Sequence, residues 1–170
     1  MKFLKKFDTS TNKQEYLNSS TKVLPSLTYC EDIKDSQYIP NDKLIVYYNV
    51  STNSESIKLV HNFTNSFSKM VLDNEQIPVP TNTMYHTFDS QGLYKAEFTL
   101  LPNASLYYAF EGCKSIVKVK IPYGITQISQ YTFADCNLKE LIIPNSVISI
   151  GRNVVYDNPN FNSITLSRNL

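Results

Sequence analysis

The sequence predicts a mainly β protein, in which a small antiparallel β-sandwich is followed by a short β-solenoid, with a short N-terminal helix and hairpin before them. Two observations lead to this prediction. The last third of the chain carries a repeat of about 22 residues, and such a unit must stack on its neighbours because it cannot bury its apolar side alone. Short β-branched and aromatic runs separated by turn residues fill the middle of the chain. The 170 residues therefore divide into 1–42, 43–103 and 104–170.

Residues 1–42 are expected to contain the helix and the hairpin. Thr11 with Gln14 three residues later forms a capping-box pattern for a short helix within 8–19. The hairpin is expected to turn at 31–34, between Pro25 and Pro40. The predicted helix has a low apolar content, with Tyr16 and Leu17 on one side.

Residues 43–103 contain four β-rich runs, at 44–50, 56–63, 67–80 and 84–101. The third run reads as a hairpin with its turn at 73–76, and the fourth divides into two strands at 89–92. Short strands at this spacing predict a small antiparallel sandwich. The step from Gly92 into the last strand resembles immunoglobulin-like modules, which implies an Ig-like β-sandwich. No linker separates this part from the repeats, so one rigid body is expected.

Residues 104–170 hold three passes of the repeat, which align residue by residue. Six slots recur: Phe110, Phe133 and Val155; Cys113, Cys136 and Asn158; Ile116, Leu138 and Phe161; Val119, Leu141 and Ile164; Ile121, Ile143 and Leu166; Ile125, Val147 and Leu170. Repeat two is one residue shorter after Cys136, and repeat three has Val155 in place of the aromatic residue and Asn158 in place of the cysteine. This pattern, from about Leu106 to Leu170, resembles the BspA-type leucine-rich repeat. The resemblance implies a parallel sheet with one strand per repeat and a shared apolar core.

The cysteines are expected to be core residues. Equivalent slots in stacked strands would place Cys113 and Cys136 about 5 Å apart, and small buried hydrophobes are the favoured interpretation, with a disulfide as the alternative. Cys30 stands alone. No Cys or His pairs occur at the spacing of a metal site, so neither a metal nor another cofactor is expected.

Charge and hydropathy argue against several function classes. The net charge is +1 and the basic residues are spread along the sequence, so nucleic-acid binding is not expected. Neither a secretory signal nor a membrane span is recognisable, and we expect the protein to fold where it is made, without membrane insertion.

His61 and His86 lie in predicted strands without a nucleophile nearby, and Glu140 and Asp135 lack a convincing partner, so we do not expect an enzyme. Tyr47-Tyr48 and Tyr107-Tyr108 are placed at strand positions, where some of these rings would serve an interface.

The N-terminal segment carries a second resemblance. The positions concerned are Phe3, Leu4, Lys5, Lys6, Phe7, Tyr16, Leu24, Pro25, Tyr29, Cys30, Glu31 and Asp32. The segment resembles N-terminal segments of virion proteins from crAss-like and related phages of gut Bacteroidetes, which implies an attachment device joined to varied outer domains.

Together these observations predict a bacteriophage virion protein, a capsid-decorating (auxiliary capsid) or head-fibre subunit that is assembled in the host cytoplasm. Its expected partners are the major capsid protein and further copies of itself, with a surface glycan or receptor also possible. The docking residues are predicted to be Phe3, Leu4, Phe7, Tyr16, Tyr29 and Leu170. The strand around 163–166 is expected to leave a sheet edge open for another chain. The alternatives are a bacterial cell-surface adhesin that binds host protein or glycan and, third, a carbohydrate-active enzyme.

Overall fold

The computed structural model describes residues 40–61, 66–79 and 81–170, and the backbone of residues 26–29. These residues form twelve strands and no helix. The strands are β1 (Ser26–Tyr29), β2 (Lys43–Val50), β3 (Glu55–Val60), β4 (Phe67–Leu72), β5 (Glu75–Ile77), β6 (Met84–Phe88), β7 (Gly92–Leu100), β8 (Ile116–Lys120), β9 (Gln127–Ile128), β10 (Glu140–Ile142), β11 (Ser149–Ile150) and β12 (Ser163–Leu166). The mainly β class is confirmed. The predicted helix within 8–19 and the predicted turn at 31–34 lie outside the described residues.

The largest sheet is antiparallel and has the strand order β5-β4-β7-β2-β8. Strand β2, which lies between β7 and β8, alternates strictly, with Leu44, Val46, Tyr48 and Val50 buried on one side. This alternation follows from the two-residue period of a strand, which sends successive side chains to opposite faces. One face of the sheet therefore belongs to the core, and the other is polar.

The four β-rich runs predicted for the middle of the chain are all strands. The run at 67–80 is the expected hairpin, in which β4 pairs with β5 across Asp73 and Asn74. Strands β3 and β6 form a separate two-stranded sheet. The phenol of Tyr48 donates a hydrogen bond to the Leu59 carbonyl at 2.7 Å, which joins β2 of the larger sheet to β3. The Ig-like assignment of these strands still rests on the resemblance.

Equivalent slots of neighbouring repeats lie against one another. Every residue of the six slots is buried except Leu170, which is half-buried against the same core. Main-chain hydrogen bonds join equivalent positions of neighbouring repeats, as in Phe110 N to Thr132 O and Phe133 N to Val154 O. The rings of Phe110 and Phe133 stack at 5.6 Å. Strand β12 pairs with β10, and β11 pairs with β9, each in parallel.

The two irregularities of the repeat compensate each other. In repeats one and three, the amide of the residue in the next apolar slot makes its hydrogen bond within a main-chain turn: Ile116 N donates to Cys113 O, and Phe161 N donates to Asn158 O. Repeat two lacks one residue after Cys136, and its buried Leu138 N donates instead to the side-chain oxygen of Asn158, at 2.9 Å. The shortened turn of repeat two thus leaves the Leu138 amide without its usual main-chain acceptor. Asn158, which replaces the cysteine in repeat three, supplies an acceptor in its place.

Left-handed backbone recurs at the corners of the repeats. Tyr108, Tyr131 and Asn153 have φ of 54°, 56° and 57°, and four residues later Gly112, Asp135 and Asp157 have φ of 67°, 52° and 54°. Asp, Asn and Gly tolerate this conformation, which supports a turn role for the acidic corner residues. The strand prediction for Tyr107-Tyr108 is wrong, because both residues lie in turns. The Tyr108 ring stacks on Tyr131 of the next repeat at 4.7 Å.

The antiparallel part and the repeats share one sheet. Strand β2 pairs with β8 of the first repeat, and Gly124 N donates to Asn41 O at 3.0 Å. A Cβ at position 124 would lie 2.0 Å from that carbonyl oxygen, so only glycine permits this approach. A main-chain ladder therefore connects the two parts, in agreement with the absence of a linker.

The far end of the repeats is covered by the chain itself. Strand β1 pairs in parallel with β12, in the register Ser26 to Ser163 through Tyr29 to Leu166. The expectation of an open edge at 163–166 is wrong. An edge strand attracts any extended segment that can complete its hydrogen bonds, and here a segment 134 or more residues earlier in the sequence completes them.

Candidate recognition face

The outward side of the continuous sheet is rich in lysine. Alternation places Lys43, Lys69, Lys95, Lys118, Lys120 and Glu97 on this side. Glu140 of β10, which belongs to the separate sheet β1-β12-β10, lies beside Lys118. Five lysines against two glutamates leave a net charge of +3, whereas the whole chain carries +1. We call this side the lysine face. Folding therefore concentrates a positive charge that is spread out along the sequence.

A groove of about 1020 Å³ crosses the lysine face where the antiparallel part meets the repeats. Its lining residues come from β2, β7, β8 and β10 and from the turns before β10 and β12: Tyr47, Asn49, Leu93, Val117, Lys118, Lys120, Asn137, Lys139, Glu140, Asn160 and Asn162. Three lysines, one glutamate, four primary amides and one phenol ring are thus collected in one concave surface. Neither part of the chain forms the groove alone, because β2 supplies one wall and the repeats supply the other.

The amides of the groove are held in order by the repeat. Asn160 Nδ2 donates to Asn137 Oδ1 at 2.7 Å, which links equivalent turns of two repeats. The backbones of both turns are fixed as well, since Asn137 N donates to Ile116 O and Asn162 N donates to Lys139 O. The Asn160 amide retains a further N–H and the Asn137 amide retains its N–H groups, so this row presents donors in fixed positions.

Ion pairs on the lysine face are weak or peripheral. Lys118 Nζ lies 3.9 Å from Glu140 Oε1, and both side chains are about half exposed. Lys95 Nζ lies 2.9 Å from Glu97 Oε1 in the same strand, and this hydrogen bond raises the pKa of Lys95. Exposed pairs of this kind contribute little to stability. The side chains of Lys95 and Lys118 therefore remain partly exposed to solvent.

Tyr47 occupies the centre of the wall that β2 provides. It pairs across the sheet with Lys95 on one side and with Lys118 on the other, so the phenol ring lies between two ammonium-bearing strands. Its neighbour Tyr48 is completely buried. One ring of this dipeptide is thus in the core and the other is on the lysine face, and an interface role for Tyr47 stays a prediction.

The predicted docking residues lie elsewhere. Phe3, Leu4, Phe7 and Tyr16 lie outside the described residues. The main chain of Tyr29 pairs with Leu166 in the strand that covers the end of the repeats. Leu170 packs, half-buried, against the core. The described backbone and side chains thus place neither of these two residues in the groove, and their docking role stays a prediction.

The residues considered for catalysis have structural contacts. His61 Nε2 lies 3.4 Å from Glu111 Oε2, and the His86 ring contacts Phe88 edge-on. Glu140 pairs with Lys118, and Asp135 pairs with Lys114 at 3.5 Å. Within the described ranges no three His, Cys, Asp or Glu side chains cluster as metal ligands would, and no helix there is long and apolar enough to span a membrane.

Cys113 and Cys136 are free thiols in the core. Burial raises the pKa of Cys113 to about 12 and raises that of Cys136 as well. Thiols of this kind are protonated at neutral pH and unreactive. The Cys136 thiol donates to the Phe110 carbonyl at 3.2 Å, the position at which Asn158 Nδ2 donates to Phe133 O one repeat later. The preference for buried thiols over a disulfide is confirmed.

The patterns in the sequence did not predict the lysine face. The only local signal is the alternation Lys118-Val119-Lys120, in which both charges point to the same side of a strand. The remaining lysines come from β2, β4 and β7, and their convergence follows from the strand order, which a single sequence does not reveal.

Comparison with known proteins agrees with the repeat. Residues 106–170 match the family model described as BspA type Leucine rich repeat region (6 copies). No curated protein and no solved structure matches the chain. The match begins at Leu106, one turn before the first aromatic slot, and includes all six slots of the alignment. Residues 106–170 therefore form a BspA-type leucine-rich repeat region.

Proposed function

We propose that this protein is a non-enzymatic recognition and assembly protein of a bacteriophage particle, a capsid-decorating or head-fibre subunit that displays its lysine face outward. The observation that carries the recognition part of the proposal is the groove shared by β2 and the repeats. A groove formed by two parts that are joined through a main-chain ladder keeps its shape, and a preorganised surface binds with a smaller entropic cost.

The particle part of the proposal rests on the resemblance of residues 3–32 to virion segments. A subunit with an attachment segment at one end needs a rigid body that projects a surface away from the docking site. The continuous sheet from β5 to β8, extended by the stacked repeats, is suited to this task. The major capsid protein and further copies of this chain are the proposed partners.

The test is the protein inventory of purified particles. We expect mass spectrometry of gradient-purified virions to detect this protein at a fixed ratio to the major capsid protein, and immunogold labelling to mark the particle surface. A chain that begins at Val23, without the proposed docking residues Phe3, Leu4, Phe7 and Tyr16, should no longer co-purify with particles. Virions that lack the protein altogether would refute the proposal.

A bacterial cell-surface adhesin is the second candidate. The polar groove with its amide row favours this candidate, because an adhesin needs a surface that binds a ligand and does not need to dock on a capsid. Labelling of intact, uninfected cells with an antibody against residues 104–170 distinguishes the two candidates. Surface signal on such cells supports the adhesin, whereas signal restricted to particles supports the virion protein.

A further inference from the structure

We propose that the groove on the lysine face is a binding site for an acidic polysaccharide, with lysine ammonium groups on the acidic substituents and the asparagine amides on the sugar hydroxyls. The inference deepens the proposed function by naming a ligand class for the same face, and it rests on that function only for its biological setting. The binding itself is a property of the purified protein.

The charge of the groove favours an anionic ligand. Lys118, Lys120 and Lys139 line it, opposed by Glu140 alone. Lys43, Lys69 and Lys95 extend the positive charge along the same side of the sheet. Charges of one sign on a concave surface attract and orient an oppositely charged polymer. An extended anionic chain lying across the strands would meet these lysines in succession.

The uncharged residues favour a sugar over a nucleic acid. Four primary amides line the groove, at Asn49, Asn137, Asn160 and Asn162. Each amide offers a donor and an acceptor side by side, which matches a pair of neighbouring hydroxyls. The Asn137–Asn160 hydrogen bond holds two of these amides in a fixed row. Tyr47 adds one ring that can stack against the C–H side of a pyranose.

Nucleic-acid grooves are built differently. Single strands are bound by several aromatic rings, each stacking on a base, and phosphates are commonly gripped by arginine. Among the described residues that line this groove, Tyr47 is the single aromatic one. Both arginines of the chain, Arg152 and Arg168, lie in turns outside the strands of the lysine face. The lysines, which bind as point charges without a fixed fork, suit carboxylates or sulfates spaced along a flexible polysaccharide.

The test is binding of the full chain to immobilised polygalacturonate, with dextran as the neutral control and single-stranded and duplex DNA as the alternative polyanions. We expect binding to polygalacturonate, none to dextran and weaker binding to DNA. Raising the salt from about 0.1 M to about 1 M, which shortens the Debye length from about 10 Å to about 3 Å, should abolish most of it.

The double variant Lys118→Gln/Lys120→Gln should weaken polygalacturonate binding about tenfold or more. The matched control is Arg152→Gln/Arg168→Gln, which changes the net charge equally but leaves the groove intact and should bind like wild type. Tyr47→Val, which replaces the ring by a β-branched residue that also favours a strand, should weaken binding without changing its dependence on salt. Lysine acetylation of the wild-type protein gives an independent measurement, in which bound polygalacturonate should protect Lys118, Lys120 and Lys139 more than Lys58.

Three results would overturn the inference: no binding to polygalacturonate at low salt, equal losses in the two double variants, or tighter binding to DNA than to the polysaccharide. The inventory of virions decides the proposed function separately. If the protein binds polygalacturonate but is absent from particles, the ligand proposal stands and the virion proposal fails. If the protein is present in virions but does not bind polygalacturonate, the virion proposal stands and the ligand proposal fails.

Discussion

Replacing Asn158 by cysteine should destabilise the protein, although it restores the residue that the repeat itself uses at this slot. The Asn158 side chain is fully buried and takes part in four hydrogen bonds. A thiol could still donate to Phe133 O, as Cys136 donates to Phe110 O. It would not replace the acceptor for Leu138 N, because sulfur accepts hydrogen bonds only weakly.

The expected loss follows from these contacts. A buried amide left without an acceptor costs about 1–3 kcal/mol, and each weakened hydrogen bond adds about 1 kcal/mol. Asn158→Cys should therefore lower the free energy of unfolding by about 2–4 kcal/mol. For a chain of this length that corresponds to a fall in the melting temperature of roughly 4–16 °C.

The assay is urea unfolding followed by circular dichroism, combined with a rescue. Insertion of one serine between Asn137 and Leu138 restores the spacing of the other two repeats, so that the amide can bond to Cys136 O as Ile116 N bonds to Cys113 O. In the inserted background Asn158→Cys should cost less than 1 kcal/mol. An equal loss with and without the insertion, or no loss in the wild-type background, would refute the compensation between the two irregularities.

Two further predictions concern the core and the end of the repeats. Burial raises the pKa values of Tyr48 and Cys136 and raises that of Cys113 to about 12. The stability that these groups contribute is therefore complete below their ordinary pKa values of 10.0 for Tyr and 9.0 for Cys, and it declines as the pH rises above those values. The slope should approach about 1.4 kcal/mol per pH unit for each group, and Tyr48→Phe should reduce this slope more than Tyr85→Phe, which changes an exposed ring. A chain that begins at Pro40 lacks β1 and should self-associate with increasing concentration in light scattering, because the edge of β12 is then open, whereas a chain that begins at Val23 should not.

Each of these two predictions has a clear contrary result. Unfolding free energies that stay level between pH 9 and pH 11, measured by urea unfolding, would contradict the burial of these groups as protonated acids. A chain starting at Pro40 that remains monomeric and as stable as the longer chain would show that β1 contributes nothing to covering the edge.

Much of the fold was predictable because its signals are local. The run at 44–50 is rich in β-branched and aromatic residues, and it is strand β2. The repeat could be aligned from its own period, and the slots are buried because stacking is the only way for each unit to cover its apolar side. The turns at Asp135 and Asp157 follow from residues that tolerate left-handed backbone.

The candidate site was less predictable, for a geometric reason. Lys43, Lys95 and Lys118 are separated by tens of residues and come to lie on one face only when β2 inserts between β7 and β8. Nothing in the local pattern of any one strand states which strand will lie beside it. The role of Asn158 was hidden for a similar reason: the substitution and the missing residue in repeat two each look like an imperfection until the structure brings them within 2.9 Å.

By itself, the sequence determined the β class, the strands of the middle region and the stacked repeat, since these depend on the periodicity of apolar side chains along short stretches of chain. Only the tertiary structure decided the pairing of β2 with β8, the cover of β12 by β1 and the collection of five lysines on one face. These features depend on main-chain hydrogen bonds between distant segments. Such bonds are made by main-chain N–H and C=O groups, which nearly all residue types carry. The identities of the residues therefore do not indicate which segments will pair.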